Sequence, residues 1–168
     1  EKIPLQDSLN RILAENVFTR IQQPPFPRSA MDGYAVRCAD LLGASKDCPV
    51  ILDVAGIQFA GMAPFQDLRG GQALRIMTGA AVPNGADAVI QQELTDCGLD
   101  QVQCFGEAKP WQTYCPAGED FDQGELLAKA GDSIDPWLMA AAAAGGISSL
   151  SVRTKVRAAV ITTGDELT

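Results

Sequence analysis

The chain has 168 residues, a formal charge of -8, 46% hydrophobic and 20% charged residues, and no histidine. That length allows one or two compact domains. The charge argues against a nucleic-acid backbone as partner, because such binding needs clustered Lys and Arg. No apolar run approaches the ~20 residues of a membrane span, and no basic start leads into an apolar core, so neither a membrane partner nor a signal peptide is expected. Five cysteines, none spaced C-x-x-C, together with the lack of histidine, argue against structural zinc and a Cys–His catalytic pair. Reduced thiols in a cytoplasmic protein are the expectation. Acid–base work, if present, falls to carboxylates.

In chain order, SLNRILAENV sets Leu9, Ile12, Leu13 and Val17 at near-helical spacing, with Asp7 or Ser8 as cap, and NVFTRI begins to read as extended. The prolines at 24, 25 and 27 then force a stiff, extended connector. Asp32-Gly33 is a turn signal and ADLL begins a helical turn. From about residue 48 to 121 the texture is that of a small all-β unit. PVILDVAGIQFAG is one strand, GGQALRIMTGAAVPNGADAVIQQEL reads strand, turn, strand around Pro83-Asn84-Gly85, and GLDQVQCFGEA is another. ELLAKAGDSIDPWLMAAAAAGG returns to helix, with Asp135 as N-cap, Pro136 at the first helical position and Gly145-Gly146 as the stop. SLSVRTKVRAAVITTG holds one or two strands, and VRAAVITTG has the texture of a buried parallel strand of an α/β domain. The first residue is Glu1, not Met. The chain is expected to lack a preceding segment and to stop just inside a further domain.

Four polar motifs are site candidates. Asp32 in SAMDGYA is either a plain turn aspartate or a ligand contact. Thr78-Gly79 in RIMTGAAVPNGAD offers a hydroxyl and amides to an anion, or simply stabilises a turn. Glu119-Asp120 in PAGEDF are exposed loop acids. TTGDEL follows an apolar strand, where α/β folds bind ligands.

Each signal is weak alone, but their order is specific. SAMDGYAV, RIMTGAAVPNGADAV, AGED and strand–TTGDEL together resemble the MoeA-type molybdopterin molybdenumtransferases, which include the E domain of gephyrin. The likeness runs from IPLQDSLNRILAENV to the C-terminus. It implies an α+β fold in which a discontinuous small α/β domain (residues 1–47 and 122–154) is interrupted by an inserted all-β domain (48–121). The first strand of a truncated α/β domain, binding nucleotide or molybdopterin, would follow at 155–168. It also implies a homodimer for the full-length protein, with the molybdopterin adenylyltransferase as a further partner.

The implied reaction inserts molybdenum from molybdate into adenylylated molybdopterin, with release of AMP and with Mg2+ as metal. The present chain alone is expected to be inactive. Carried over motif by motif, Asp32, Thr78 and Asp120 are the expected catalytic residues. Thr78, Gly79 and Glu166 are expected to bind substrate, and Asp120 and Glu166 to bind metal. One departure stands out: the family commonly carries arginine before the Gly-Glu-Asp triplet, whereas WQTYCPAGED has no basic residue nearer than Lys109. That departure leaves a second reading in place, a non-catalytic dimerisation or scaffold module derived from the same family.

Overall fold

The computed structural model describes residues 1–163. In chain order its strands are β1 (Lys2–Pro4), β2 (Val17–Phe18), β3 (Arg28–Ser29), β4 (Gly33–Val36), β5 (Val50–Gln58), β6 (Gln72–Ile76), β7 (Ala88–Gln91), β8 (Gln101–Cys104), β9 (Tyr114–Cys115), β10 (Leu126–Ala128) and β11 (Ser149–Ser151). A single α-helix among the described residues, α1 (Pro136–Ala144), precedes β11. The chain divides into two compact units. One comprises Glu1–Arg20 and the chain from Gly124 onward, and the other Ile21–Gln123. Residues 21–47, grouped with the flanks on sequence grounds, thus fold with the β-rich unit.

The Ile21–Gln123 unit is built on a five-stranded sheet of order β7-β4-β6-β5-β8. Only β5 and β6 run parallel; the other neighbours are antiparallel. The reason for the domain boundary is β4. All four of its residues are buried, so it belongs in the middle of a sheet covered on both faces. Its side chains alternate strictly. Tyr34 and Val36 join Leu52, Ala73, Ala88, Ile90, Val102 and Cys104 on one face, while Ala35 joins Leu74, Ile76, Val89, Leu68 and Val82 on the other. β6 and β7, consecutive in sequence around the Asn84-Gly85 turn, do not pair with each other. They flank β4 on either side.

Gly33 begins β4, rather than sitting in the turn that Asp32-Gly33 signalled. A Cβ built on it would lie 2.0 Å from the Ile90 carbonyl oxygen of β7. The glycine is therefore required by a close backbone approach, not by a turn. Gly85 serves the turn itself, at φ 87°.

In the other unit, β1 pairs with β11 and β2 with β10, both antiparallel. The expected helix over SLNRILAENV does not form. Leu5–Asp7 makes one 3-10 turn, and Asn10 takes a left-handed φ of 61°, which a helix cannot accommodate. The backbone bonds outward instead. Asn10 donates to the Ile134 carbonyl (2.8 Å), Leu13 to that of Asp132 (2.9 Å), and Ile134 returns a bond to Arg11 (2.8 Å). Ten residues form a marginal helix in water, so a tertiary partner with open acceptors prevails.

Leu13 is fully buried with Val17, Ile134, Ala142, Ile147, Leu150 and Val152, and Leu138 and Met139 of α1 pack against this cluster. The segments before and after the Ile21–Gln123 unit therefore share a core. ELLA, read as the start of a helix, is β10. The helix begins where the cap says: Asp135 accepts from the Leu138 amide at 2.7 Å, Pro136 follows, and Gly146 has φ 78° after the last turn. Residues 153–163 form no regular element, and Val156, Val160 and Ile161 are exposed. The parallel strand expected there has no ladder partner among the described residues, which a strand needs.

Two substitutions test this fold. Gly33→Ala should lower stability by about 3 kcal/mol, because the obstructing atom is backbone and cannot rotate away. Asp135→Ala should lower it by about 1 kcal/mol through loss of the cap. Denaturant unfolding of each variant checks both, and a Gly33→Ala protein as stable as the parent would refute the assigned β4–β7 contact.

Candidate active site

The register of the sheet brings three strand ends together. Gly33 faces Ile76 of β6 on one side and Gln91 of β7 on the other. Because both pairings are antiparallel, the residue before Gly33 lies beside the residues that follow Ile76 and Gln91. Asp32 thus meets Thr78 and Gln92. Its carboxylate Oδ1 accepts from the Thr78 amide (2.8 Å) and from the Thr78 hydroxyl (2.7 Å). Its carbonyl accepts from the Gln92 amide (3.2 Å).

Ala30, Met31, Asp32, Thr78, Gln92 and Glu93 line an open cavity of about 240 Å³. Met31 is held over it by the Gln91 side-chain amide, which donates to the Met31 sulfur at 3.0 Å. Asp32 is half-buried and Thr78 exposed, so both are accessible to a ligand.

The electrostatics follow from these bonds. The Thr78 amide, then its hydroxyl, hold the Asp32 carboxyl below the ordinary aspartate range, with the Arg75 charge assisting. Asp32 is therefore an anion at neutral pH, with Oδ1 doubly engaged and Oδ2 the oxygen open to a ligand. Such an oxygen can take a cation or accept a proton from a donor.

The expectation of open amides at Thr78-Gly79 needs correction. The Thr78 amide is used by Asp32, and the Gly79 amide donates to the Ser29 carbonyl at 2.8 Å. Neither donor remains for an anion in this arrangement. What Thr78 can still offer a ligand is its hydroxyl, if the bond to Asp32 is exchanged.

Asp120 lies elsewhere in the same unit and does not line this cavity. Its amide donates to the Gln23 carbonyl at 2.9 Å, and its carboxylate is exposed. Next to it, Glu119 accepts a hydrogen bond from the Cys115 thiol. That bond, with burial, pushes the thiol up, and a hydrogen bond from Arg28 opposes it. Glu166 lies outside the described residues.

Two lining residues, Gln92 and Glu93, were not singled out from the sequence. The available signal was the polar QQEL run directly after the buried strand AVI. Among the described residues no group of three or more acids and cysteines is placed to hold a metal. The lining nevertheless carries two carboxylate residues, Asp32 and Glu93. That chemistry fits Mg2+, which takes one or two carboxylates and completes its shell with water and substrate phosphates. No helix among the described residues is long and apolar enough to cross a membrane.

Comparison with known proteins identifies the family of this chain. The sequence profile of the family described as MoeA N-terminal region (domain I and II) matches residues 1–146. The chain is 40% identical over 165 residues to molybdopterin molybdenumtransferase 2 of Mycobacterium tuberculosis, covering 98% of this chain and 41% of that protein. It is 40% identical over 169 residues to molybdopterin molybdenumtransferase of Haemophilus influenzae, covering 99% and 40%. The crystal structure of the molybdopterin biosynthesis MoeA protein from Pyrococcus horikoshii OT3 superposes with a TM-score of 0.87 at 35% identity, over 92% of this chain and 41% of that one. The chain thus spans about two fifths of the length of the relatives it matches. Over that span, this chain belongs to the MoeA N-terminal region family.

Proposed function

We propose that this chain forms the N-terminal part of a molybdopterin molybdenumtransferase, which inserts molybdenum from molybdate into adenylylated molybdopterin and releases AMP. The observation that carries the reading is the Asp32–Thr78 pair at the mouth of an accessible cavity, in a chain whose named relatives are transferases of this kind. The reaction joins two anions, and the acids here take their purpose from that. Mg2+ at such a site would supply Lewis acidity and screen the charges of phosphate and oxyanion.

Asp32 Oδ2 orders the cation side of the substrate, and Thr78 locks the carboxylate so that only one oxygen is presented. The Thr78 hydroxyl is the group of this pair that can turn to a substrate oxygen. Gly79 contributes through the turn that places Thr78, since its amide is engaged. Asp120 acts from the loop outside the cavity, and Glu166 belongs to the nucleotide and metal side of the following segment. A homodimer, docking of the molybdopterin adenylyltransferase and a cytoplasmic location accompany this reading. The alternative, a non-catalytic dimerisation or scaffold module, draws on the absence of basic residues just before Gly118-Glu119-Asp120. The retained Asp32–Thr78 pair favours catalysis.

Three outcomes are expected. In the full-length protein Asp32→Asn should lower AMP release by about 100-fold, the scale of a misplaced reactant. Its melting temperature should move by no more than about 3 °C, as for a surface change. Release at the parent rate would remove Asp32 from the site. The 168-residue chain by itself should release no AMP above background when given substrate, molybdate and Mg2+.

The pH behaviour should follow the sign of the Asp32 shift. A depressed carboxyl contributes stability above its unfolded value of 3.8, and that contribution disappears as pH falls through the lower folded value. In Thr78→Val the carboxyl should titrate at a higher pH than in the parent but still below 3.8, because the amide bond, the larger cause, remains. Carbon-detected NMR titration of the Asp32 carboxyl measures this, and an unchanged titration would mean that the hydroxyl bond is not formed in solution.

A further inference from the structure

We propose that Arg28 is an anion-binding residue of this site, whose guanidinium takes a tetrahedral oxyanion, a substrate phosphate or molybdate, beside the Gly118-Glu119-Asp120 loop. The proposal rests on the transferase reading above and extends it to the β3–β9 face.

Arg28 is placed by backbone pairing on both sides. It faces Cys115 across β3–β9 and bridges to Ala81 on its other edge. Facing residues of an antiparallel pair project their side chains to the same face. On that face the Cys115 thiol donates to the Glu119 carboxylate, and Arg28 reaches the same sulfur. The thiol takes one oxygen of Glu119, and Arg28 makes no ion pair among the described residues, where the pairs are Arg11–Glu1 and Arg37–Asp40. This half-buried arginine therefore has no direct carboxylate contact in a chain of 21 acids and 13 bases. Its five N–H donors far exceed what one sulfur can accept.

Beside the Gly118-Glu119-Asp120 loop this cation is the available anion contact. The Gly118 amide is bound to the Pro24 carbonyl (2.9 Å) and that of Asp120 to Gln23 (2.9 Å), so these loop amides cannot cradle an anion. The same bonds tie the loop to the segment that leads directly into Arg28. Residues 110–120 contain no lysine or arginine. Ser29, next along β3, accepts the Gly79 amide and so fixes this strand to the Thr78 turn. Asp32 is four positions after Arg28, which places their Cα atoms within at most ~14 Å of each other. A guanidinium is permanently charged and matches two oxygens of a phosphate or molybdate at once, which a lysine does not.

The test uses the full-length protein as wild type, Arg28→Ala and Arg28→Lys. Each is titrated with sodium molybdate and, separately, with inorganic pyrophosphate, by calorimetry and by the rate of Cys115 alkylation read by mass spectrometry. Arg28→Ala should weaken one of the two anions by about tenfold or more, with partial recovery in Arg28→Lys. The anion affected identifies the source of the oxyanion. That anion should slow Cys115 alkylation in wild type and not in Arg28→Ala. In turnover its KM should rise with a smaller change in kcat. Wild-type affinity for both anions in Arg28→Ala, with Cys115 protection unchanged, overturns the proposal. Should Arg28→Ala fail to fold, Arg28→Gln carries the same comparison. Arg28-dependent anion binding in a protein that releases no AMP would sustain this inference and reject the transferase reading.

Discussion

The approach of the Gly33 backbone to the Ile90 carbonyl is the constraint on which the site depends. It locks β4 between β6 and β7 in one register. Side chains alternate with a period of two, so a slip by one residue would exchange the faces of Tyr34, Ala35 and Val36. Both faces of β4 are packed, and Tyr34 would no longer match its pocket. The same register sets Asp32 one step beyond the sheet, beside the ends of two neighbouring strands. A packing requirement in the core thereby becomes a positional requirement at the cavity.

The Asp32–Thr78 pair shows how a short polar contact prepares a carboxylate for a ligand. Two donors on one oxygen favour the ionised group and fix its plane, and the second oxygen takes neither of these bonds. The Thr78 amide, used in this way, is not available to a substrate. The turn after β6 thus acts on the carboxylate and not as an anion nest. The Arg75 charge acts on Asp32 itself, and the β3–β9 pair adds Arg28, an arginine with no ion pair among the described residues.

In the other unit residues 13–17 and 128–152 meet in one core. The N-terminal segment gives up helical bonding for bonds to residues 132–134, and burial of Leu13 against Ile134 and Ala142 accompanies the exchange. α1 is short and alanine-rich, so its position rests on the Asp135 cap and on Leu138 and Met139 packed against that core.

Local chemistry was legible in the residues themselves. The Asp135-Pro136 start of α1, the Gly85 turn, the strands at 50–58 and 101–104, and Thr78 as a polar group at a strand end all follow from capping, φ freedom and period-two patterning, which act within a few residues. Non-local pairing was not legible. Whether residues 9–13 bond to themselves or to residues 132–134 depends on acceptors more than a hundred positions away. That β6 and β7 admit β4 between them, and that Gly33 is needed for sterics and not for a turn, depends on which backbone lies opposite. The same holds for the site. Composition and motif order named Asp32 and Thr78, but only strand register brought them into one hydrogen-bonded pair, added Gln92 and Glu93 to the cavity wall, left Asp120 outside it, and set Arg28 beside the loop acids.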